Sequence, residues 1–217
     1  MKTAACCKIT VTLLLCLLLT VTASISGISG NRPYEGKVQA VFDGDTVRLE
    51  TGEKVRYLGM DAPEVAHSGE PADCFGYAAR KANSAMVLGK KVFLRYEGTD
   101  ADHYGRLLAY VFLADGTCVN LEMVKSGNAC VYRTSEGFGM LPEFIRAQRE
   151  AIMARRGLWG ACPARPAAVY LGNSRTFVFH RQECEYGREM SERNTTRFAD
   201  RWSALGEGFS PCRVCKP

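Results

Sequence analysis

The chain has 217 residues, 47% hydrophobic and 24% charged, with a formal net charge of +5. That length and apolar content exclude an intrinsically disordered polymer and allow one domain with a filled core plus a small appendage. Residues 24–163 carry 17 basic and 17 acidic side chains and residues 164–217 carry 9 and 6, which excludes a blanket cationic surface, so any recognition of phosphate must be local.

In chain order, Lys2 and Lys8 precede an apolar run from Ile9 to Val21, and Val21-Thr22-Ala23 offers small residues to a signal peptidase. The run is shorter than the roughly 20 residues that cross a bilayer. Residues 1–23 are therefore expected to be removed as a signal peptide and residues 24–35 to act as a linker. The mature chain is expected to be secreted or periplasmic, without stable membrane association and monomeric. Losing Lys2 and Lys8 lowers the formal charge to +3, and losing Cys6, Cys7 and Cys16 leaves seven cysteines. An odd number entering an oxidising compartment implies a free thiol or thiolates held by metal.

Gly36 to Phe42 and Thr46 to Leu49 read as strands joined by an Asp-Gly turn, and Glu53 to Leu58 follows the Thr51-Gly52 turn as a third. Pro63, Gly69 and Pro71 keep the chain in loop until about Phe75. Ala78, Ala79, Ala82, Ala85, Met86 and Leu88 then recur near helical period up to Gly89. Lys91 to Tyr96 and Arg106 to Leu113 return to strand composition. A short helix is expected over Val119 to Lys125, a strand over Ala129 to Tyr132, and a third helix from near Pro142 that carries Ile145, Ile152 and Leu158. Five or six short strands with three helices fit an α+β fold, a small Greek-key barrel bearing helices, over residues 36–163. Cys162-Pro163-Ala164-Arg165-Pro166 reads as a boundary. Residues 170–217 look too short to be held by burial alone and call for a staple.

Acidic and cationic side chains cluster in the turn-rich segments. Asp43-Gly44-Asp45 can present paired carboxylates because its glycine tolerates conformations that a side chain forbids. With Asp61, delivered after the third strand, these hard oxygens suit Ca²⁺ with positions left for water and a phosphate oxygen. Arg56 and Arg106 are fixed forks suited to the equatorial oxygens of a phosphorane. Glu64, behind Pro63, can orient or deprotonate an attacking water. The bland counterparts are a hairpin turn at Asp43-Gly44 and a surface ion pair between Arg56 and Glu64.

Asp43 to Thr46, Arg56 to Glu64 and Tyr104 to Tyr110 stand in the order of the Asp-Gly-Asp-Thr, Arg-x4-Asp-x-Pro-Glu and Tyr-Gly-Arg-x-Leu-Ala-Tyr segments of the staphylococcal (micrococcal) nuclease family, which residues 36–163 resemble. The resemblance implies a five-stranded OB-type barrel, Ca²⁺ on Asp45, Asp61 and the carbonyl of Ala62, Glu64 as general base, and Arg56 and Arg106 on the transferred phosphate. It also implies hydrolysis of DNA and RNA to 3′-phosphates, with His103, Tyr104 and Tyr132 on the substrate. Two departures stand out: His103 takes the place of a substrate-phosphate lysine, and Arg133 that of a base-stacking tyrosine, with Tyr132 one residue earlier.

His180-x3-Cys184 and Cys212-x2-Cys215 have the spacing of a tetrahedral Zn²⁺ site that could staple residues 170–217 as a small zinc-binding module. A Cys212–Cys215 disulfide with Cys184 free remains the alternative. The Gly-Phe-x-Pro-Cys-x2-Cys-x-Pro ending resembles the metal-binding domain of the Ada methylphosphotriester repair protein, with His180 in place of its first cysteine. If zinc takes three thiolates, Cys74, Cys118, Cys130 and Cys162 remain, and Cys118–Cys130 with Cys74–Cys162 is the expected pairing among three. Two other function classes stay open: a non-catalytic nucleic-acid or protein-binding barrel, and a DNA-damage sensor working through the Ada-like segment.

Overall fold

The computed structural model describes residues 33–163 and 167–217; the expected signal peptide and most of the expected linker lie outside the described residues. Strands β1 (Glu35–Val41), β2 (Thr46–Leu49) and β3 (Lys54–Tyr57) form an antiparallel meander. A two-residue strand β4 (Met60–Asp61) and helix α1 (Gly76–Val87) follow. Then come β5 (Lys91–Ala101), β6 (Leu107–Phe112), α2 (Val119–Lys125), β7 (Cys130–Val131) and α3 (Leu141–Met153). The strand order β1-β2-β3-β6-β5 closes into a barrel, with β3 and β6 parallel and Arg56 opposite Leu108. An OB-type barrel with helices is therefore the observed architecture.

Alternation along β3 explains the barrel's filling. Val55 and Tyr57 point inward and are essentially inaccessible, while Arg56 lies on the opposite face. Asn120, fully buried on α2, rivets the parallel seam: its side chain accepts from Val111 N at 2.8 Å and donates to the carbonyls of Leu58 at 3.0 Å and Ala109 at 3.1 Å.

Three expectations change. The third helix ends at Met153, because the chain reverses through positive φ at Arg155 and Gly157. Leu158 therefore opens a separate turn, α4 (Leu158–Ala161), its N–H donating to Gly127 O at 2.9 Å. β5 runs to Ala101, past the expected end at Tyr96, through a register shift that lets Ala101 pair with Leu107. Of the expected disulfides, Cys74–Cys162 forms but Cys118–Cys130 does not. Cys118 heads α2 within the barrel core, whereas Cys130 packs in a second cluster beyond α3.

That second cluster is built jointly by the two halves of the chain. Residues 170–217 fold as a four-stranded sheet ordered β10 (Thr195–Phe198), β8 (Tyr170–Asn173), β9 (Val178–Arg181), β11 (Ser210–Pro211), with short helices α5 (Glu185–Arg188) and α6 (Arg201–Gly206). Tyr170, Phe179, Phe198, Leu205 and Phe209 pack with Cys130, Ala151, Leu158 and Trp159 of the first half. The buried Gln148 of α3 bolts the junction, accepting from Val131 N at 2.8 Å and donating to Leu205 O at 2.8 Å. Residues 33–217 thus make one compact unit.

Candidate functional site

The site begins at the turn between β1 and β2. Asp45 N donates to Asp43 Oδ1 at 2.9 Å, an Asx turn that folds the two carboxylates toward each other. A Cβ on Gly44 would lie 2.5 Å from Ala62 Cβ and 2.9 Å from Ala79 Cβ. The glycine is thus needed for close approach of the Asp61-Ala62 segment, and not for an unusual φ as the sequence suggested. From the other side, Asn83 of α1 accepts from Tyr57 OH at 2.9 Å and donates to Asp43 O at 3.0 Å.

Asp45, 1% exposed, accepts from Thr46 Oγ1 at 3.0 Å, from Ala62 N at 2.7 Å and from Arg56 Nη1. The same guanidinium reaches Asp61 Oδ1 through Nη2, so two carboxylates share one cation. Burial pushes the pKa of Asp45 well above the ordinary carboxylate range, opposed by Arg56 and reinforced by Asp43 and Asp61. Burial also opposes the charge on Arg56, but Asp45 and Asp61 outweigh it and raise its pKa. Asp61 is presented by the β4–β7 bridge, opposite Cys130.

Glu64 follows on a loop fastened at several points. Its N–H donates to Asp73 Oδ2 at 3.2 Å, and Asp73 N returns a bond to Glu64 O at 2.9 Å. Gly76 is needed because a Cβ there would meet Glu64 O at 2.1 Å. The Cys74–Cys162 disulfide ties this loop to the end of α4. Burial, with Asp43 next, raises the pKa of Glu64 despite the pull of Arg213.

Arg106 is placed differently from Arg56. It stands one residue before β6, and its Nε and Nη2 each lie 2.7 Å from Asp102 Oδ2 while its N–H donates to Asp102 Oδ1 at 3.0 Å. Among the described residues no hydrogen bond or ion pair joins it to Asp45, Asp61 or Glu64. The register sets it two positions before Leu108, the partner of Arg56, on the same face of the sheet. Tyr104 is 73% exposed, with its ring 5.3 Å from Arg106 Cζ and 3.8 Å from the His103 ring. Tyr132 is exposed beside β7, and Arg133 packs its guanidinium 3.4 Å from the Phe177 ring centroid.

A second cation that meets the carboxylates, beside Arg56, was not expected. Arg213, from the last turn of the chain, straddles Asp61, with Nε 3.1 Å from Oδ2 and Nη2 on Oδ1, and its Nη1 lies 4.0 Å from Glu64 Oε1. Lys216 pairs with Asp73. Asp102 and Asn83 also escaped sequence reading, as did the tie that Asn120 makes, although two asparagines on otherwise apolar helix faces are a usable signal of buried polar ties.

On the same tail, ligand atoms of His180, Cys184, Cys212 and Cys215 lie within 4.8 Å of one another, a cluster able to hold a metal ion. Cys184 Sγ is 3.5 Å from His180 Nδ1. Burial pushes the Cys215 thiol up to about 12 and the His180 pKa down, so the imidazole is neutral and ready to ligate.

The staphylococcal nuclease homologue family model matches residues 54–161. The thermonuclease of Staphylococcus intermedius is 30% identical over 167 residues, 70% of this chain and 98% of that protein. An uncharacterized protein of Methanocaldococcus jannaschii is 34% identical over 158 residues, 62% of this chain and 75% of its own length. An uncharacterized endonuclease of Escherichia coli O157:H7 is 35% identical over 138 residues, 62% of this chain and 83% of its own. With a closed five-strand barrel that brings Asp45, Asp61 and Arg56 together, and with relatives aligned over most of their own length, this chain belongs to the staphylococcal nuclease family.

Proposed function

We propose that the protein is an exported Ca²⁺-dependent nuclease that hydrolyses phosphodiester bonds of DNA and RNA by in-line attack of water, leaving 3′-phosphates. The observation that carries this reading is the sharing of one guanidinium between Asp45 and Asp61, with Glu64 within electrostatic reach of Arg56 and Asp61. Two carboxylates converging on one cation are a donor set that a divalent ion can take over. Asp45, Asp61 and the Ala62 carbonyl would hold Ca²⁺, whose positive charge, when bound, polarises the phosphoryl oxygen. Carboxylates released from Arg56 leave its fork for the equatorial phosphate oxygens, where charge grows in the transition state. Glu64, anchored through Asp73 and with its pKa raised, takes the proton of the attacking water. Arg106, oriented by Asp102, and the exposed Tyr104 are assigned to the flanking phosphate, with His103 and Tyr132 lining the strand's path.

For the tail, Zn²⁺ on His180, Cys184, Cys212 and Cys215 is the assignment that three thiolates and one neutral imidazole favour. The likeness of the ending to the Ada metal-binding domain supports it, in a structural role. Export agrees with the Cys74–Cys162 disulfide, which persists in oxidising compartments.

Digestion of single-stranded and duplex DNA and RNA, with Ca²⁺ and with EDTA, tests the activity. Cleavage should require Ca²⁺, and Glu64→Gln should lower turnover by about 10²–10⁴-fold. Undiminished cleavage in EDTA, or by Glu64→Gln, would refute the mechanism. Elemental analysis of the purified protein tests the zinc: one equivalent is expected, and none would remove the assignment.

A further inference from the structure

Arg213 sits between the two cysteines of a four-residue knuckle, and the knuckle is pinned from both directions. Inside, Cys212 and Cys215 face His180 and Cys184, and Lys216 N donates to Cys212 O at 2.9 Å. Outside, Lys216 pairs with Asp73 and Arg213 with Asp61. The guanidinium is therefore carried on a rigid turn, with 59% of its side-chain surface still open to solvent. It stands at a cavity of about 450 Å³ between barrel and tail that is also lined by Asp61, Glu64 and Asp73.

Arg56 joins Asp45 to Asp61, and Arg213 joins Asp61 and approaches Glu64. Asp61 now gives both oxygens to the Arg213 fork, so a cation that takes Asp61 releases that fork. The released group is held near Glu64 and the cavity mouth, where the acceptor arriving with the substrate is a phosphate.

We propose that Arg213 is a third guanidinium of the nuclease centre, a substrate-binding residue that grips a backbone phosphate of the strand next to the scissile bond. This rests on the nuclease reading above. Arg213 meets Asp61 at Oδ1, the oxygen that Arg56 also holds, so the tail brings a second fork to the carboxylates of the site. An arginine suits the task because its fork serves carboxylate and phosphate alike, exchanging one for the other without moving its backbone.

The test uses the full chain with Glu64→Gln, whose slowed cleavage allows binding to be read first, saturated with Ca²⁺ and titrated with a fluorescent single-stranded oligodeoxynucleotide across a salt series. A phosphate contact contributes about 0.7 to the slope of log affinity against log salt for a single strand. Arg213→Gln should weaken binding by roughly tenfold or more and flatten the slope by about 0.7, and Arg213→Lys should restore the slope. Near-ultraviolet circular dichroism of each variant reports the fold. An unchanged slope in Arg213→Gln, or tighter binding as expected of a plug on Asp61, would overturn the proposal and leave the nuclease reading intact. No Ca²⁺-dependent binding by the Glu64→Gln parent would overturn both.

Discussion

Replacing Arg56 by methionine separates what this side chain does for stability from what it does for phosphate. In the structure Arg56 contacts Asp45 and Asp61, and Asp45 is only 1% exposed. Methionine fills most of the volume but leaves Asp45 buried beside Asp43 and Asp61 without its cation. Breaking a buried pair in this way costs about 3–5 kcal/mol, a large part of the roughly 5–15 kcal/mol that holds a domain together. Urea unfolding in EDTA near pH 7.5 reads the loss directly, as a lower midpoint with little change in slope. The loss should shrink as pH falls, because burial has already raised the pKa of Asp45 and protonation removes the uncompensated charge. Ca²⁺ should stabilise the variant by about 2.7 kcal/mol at 100 times its dissociation constant, and the parent by less at the same concentration, because there it competes with Arg56. Turnover should stay down by about 10²–10³-fold even at saturating Ca²⁺, the usual cost of one missing oxyanion donor. A variant within about 1 kcal/mol of the parent in EDTA, or equal stabilisation of both by Ca²⁺, would refute the reasoning.

Other outcomes follow from the same geometry. Asn120→Ala orphans Val111 N and Leu58 O in the barrel seam and should cost about 2–5 kcal/mol by urea unfolding, lowering activity only through stability. Cys162→Ser opens a disulfide spanning 88 residues, worth about 4–5 kcal/mol on the chain-entropy estimate, and the difference from the parent should vanish when both are reduced. Burial opposes ionisation of Asp102, but bonds from the Arg106 amide and guanidinium outweigh it and hold its pKa below the usual value. Its contribution to stability is therefore fully present above about pH 3.9, the ordinary aspartate value, and is lost as pH falls through the lower folded-state value. Asp102→Asn should make acid unfolding begin with a shallower loss, read by fluorescence during acid titration.

Much of the barrel was legible because its signals are local. Asp-Gly and Thr-Gly turns mark the meander, and α2 occupies the expected residues 119–125. Asp45, Asp61 and Arg56 were readable as a group because three short segments carry them and adjoining strands deliver them. What escaped reading depends on distance in the chain. Arg213 and Asp61 are 152 residues apart, and nothing near either position encodes their meeting, which follows from how Phe179, Leu205 and Phe209 seat the tail on α3 and α4. The failure of Cys118 to pair with Cys130 has the same origin, since α2 turns one into the barrel while β7 carries the other behind it. Arg106 illustrates a nearer miss: its strand position was readable, but the Asx-like loop that gives it Asp102 as a partner was not.

The jointly built second cluster means that the tail is no detachable cassette. Severing the chain after Pro163 would strip Leu158, Trp159 and Ala151 of the aromatic side chains that cover them and leave Gln148 without its acceptor at Leu205. Such a fragment should clump or unravel, so the barrel depends for its own folding on residues 167–217.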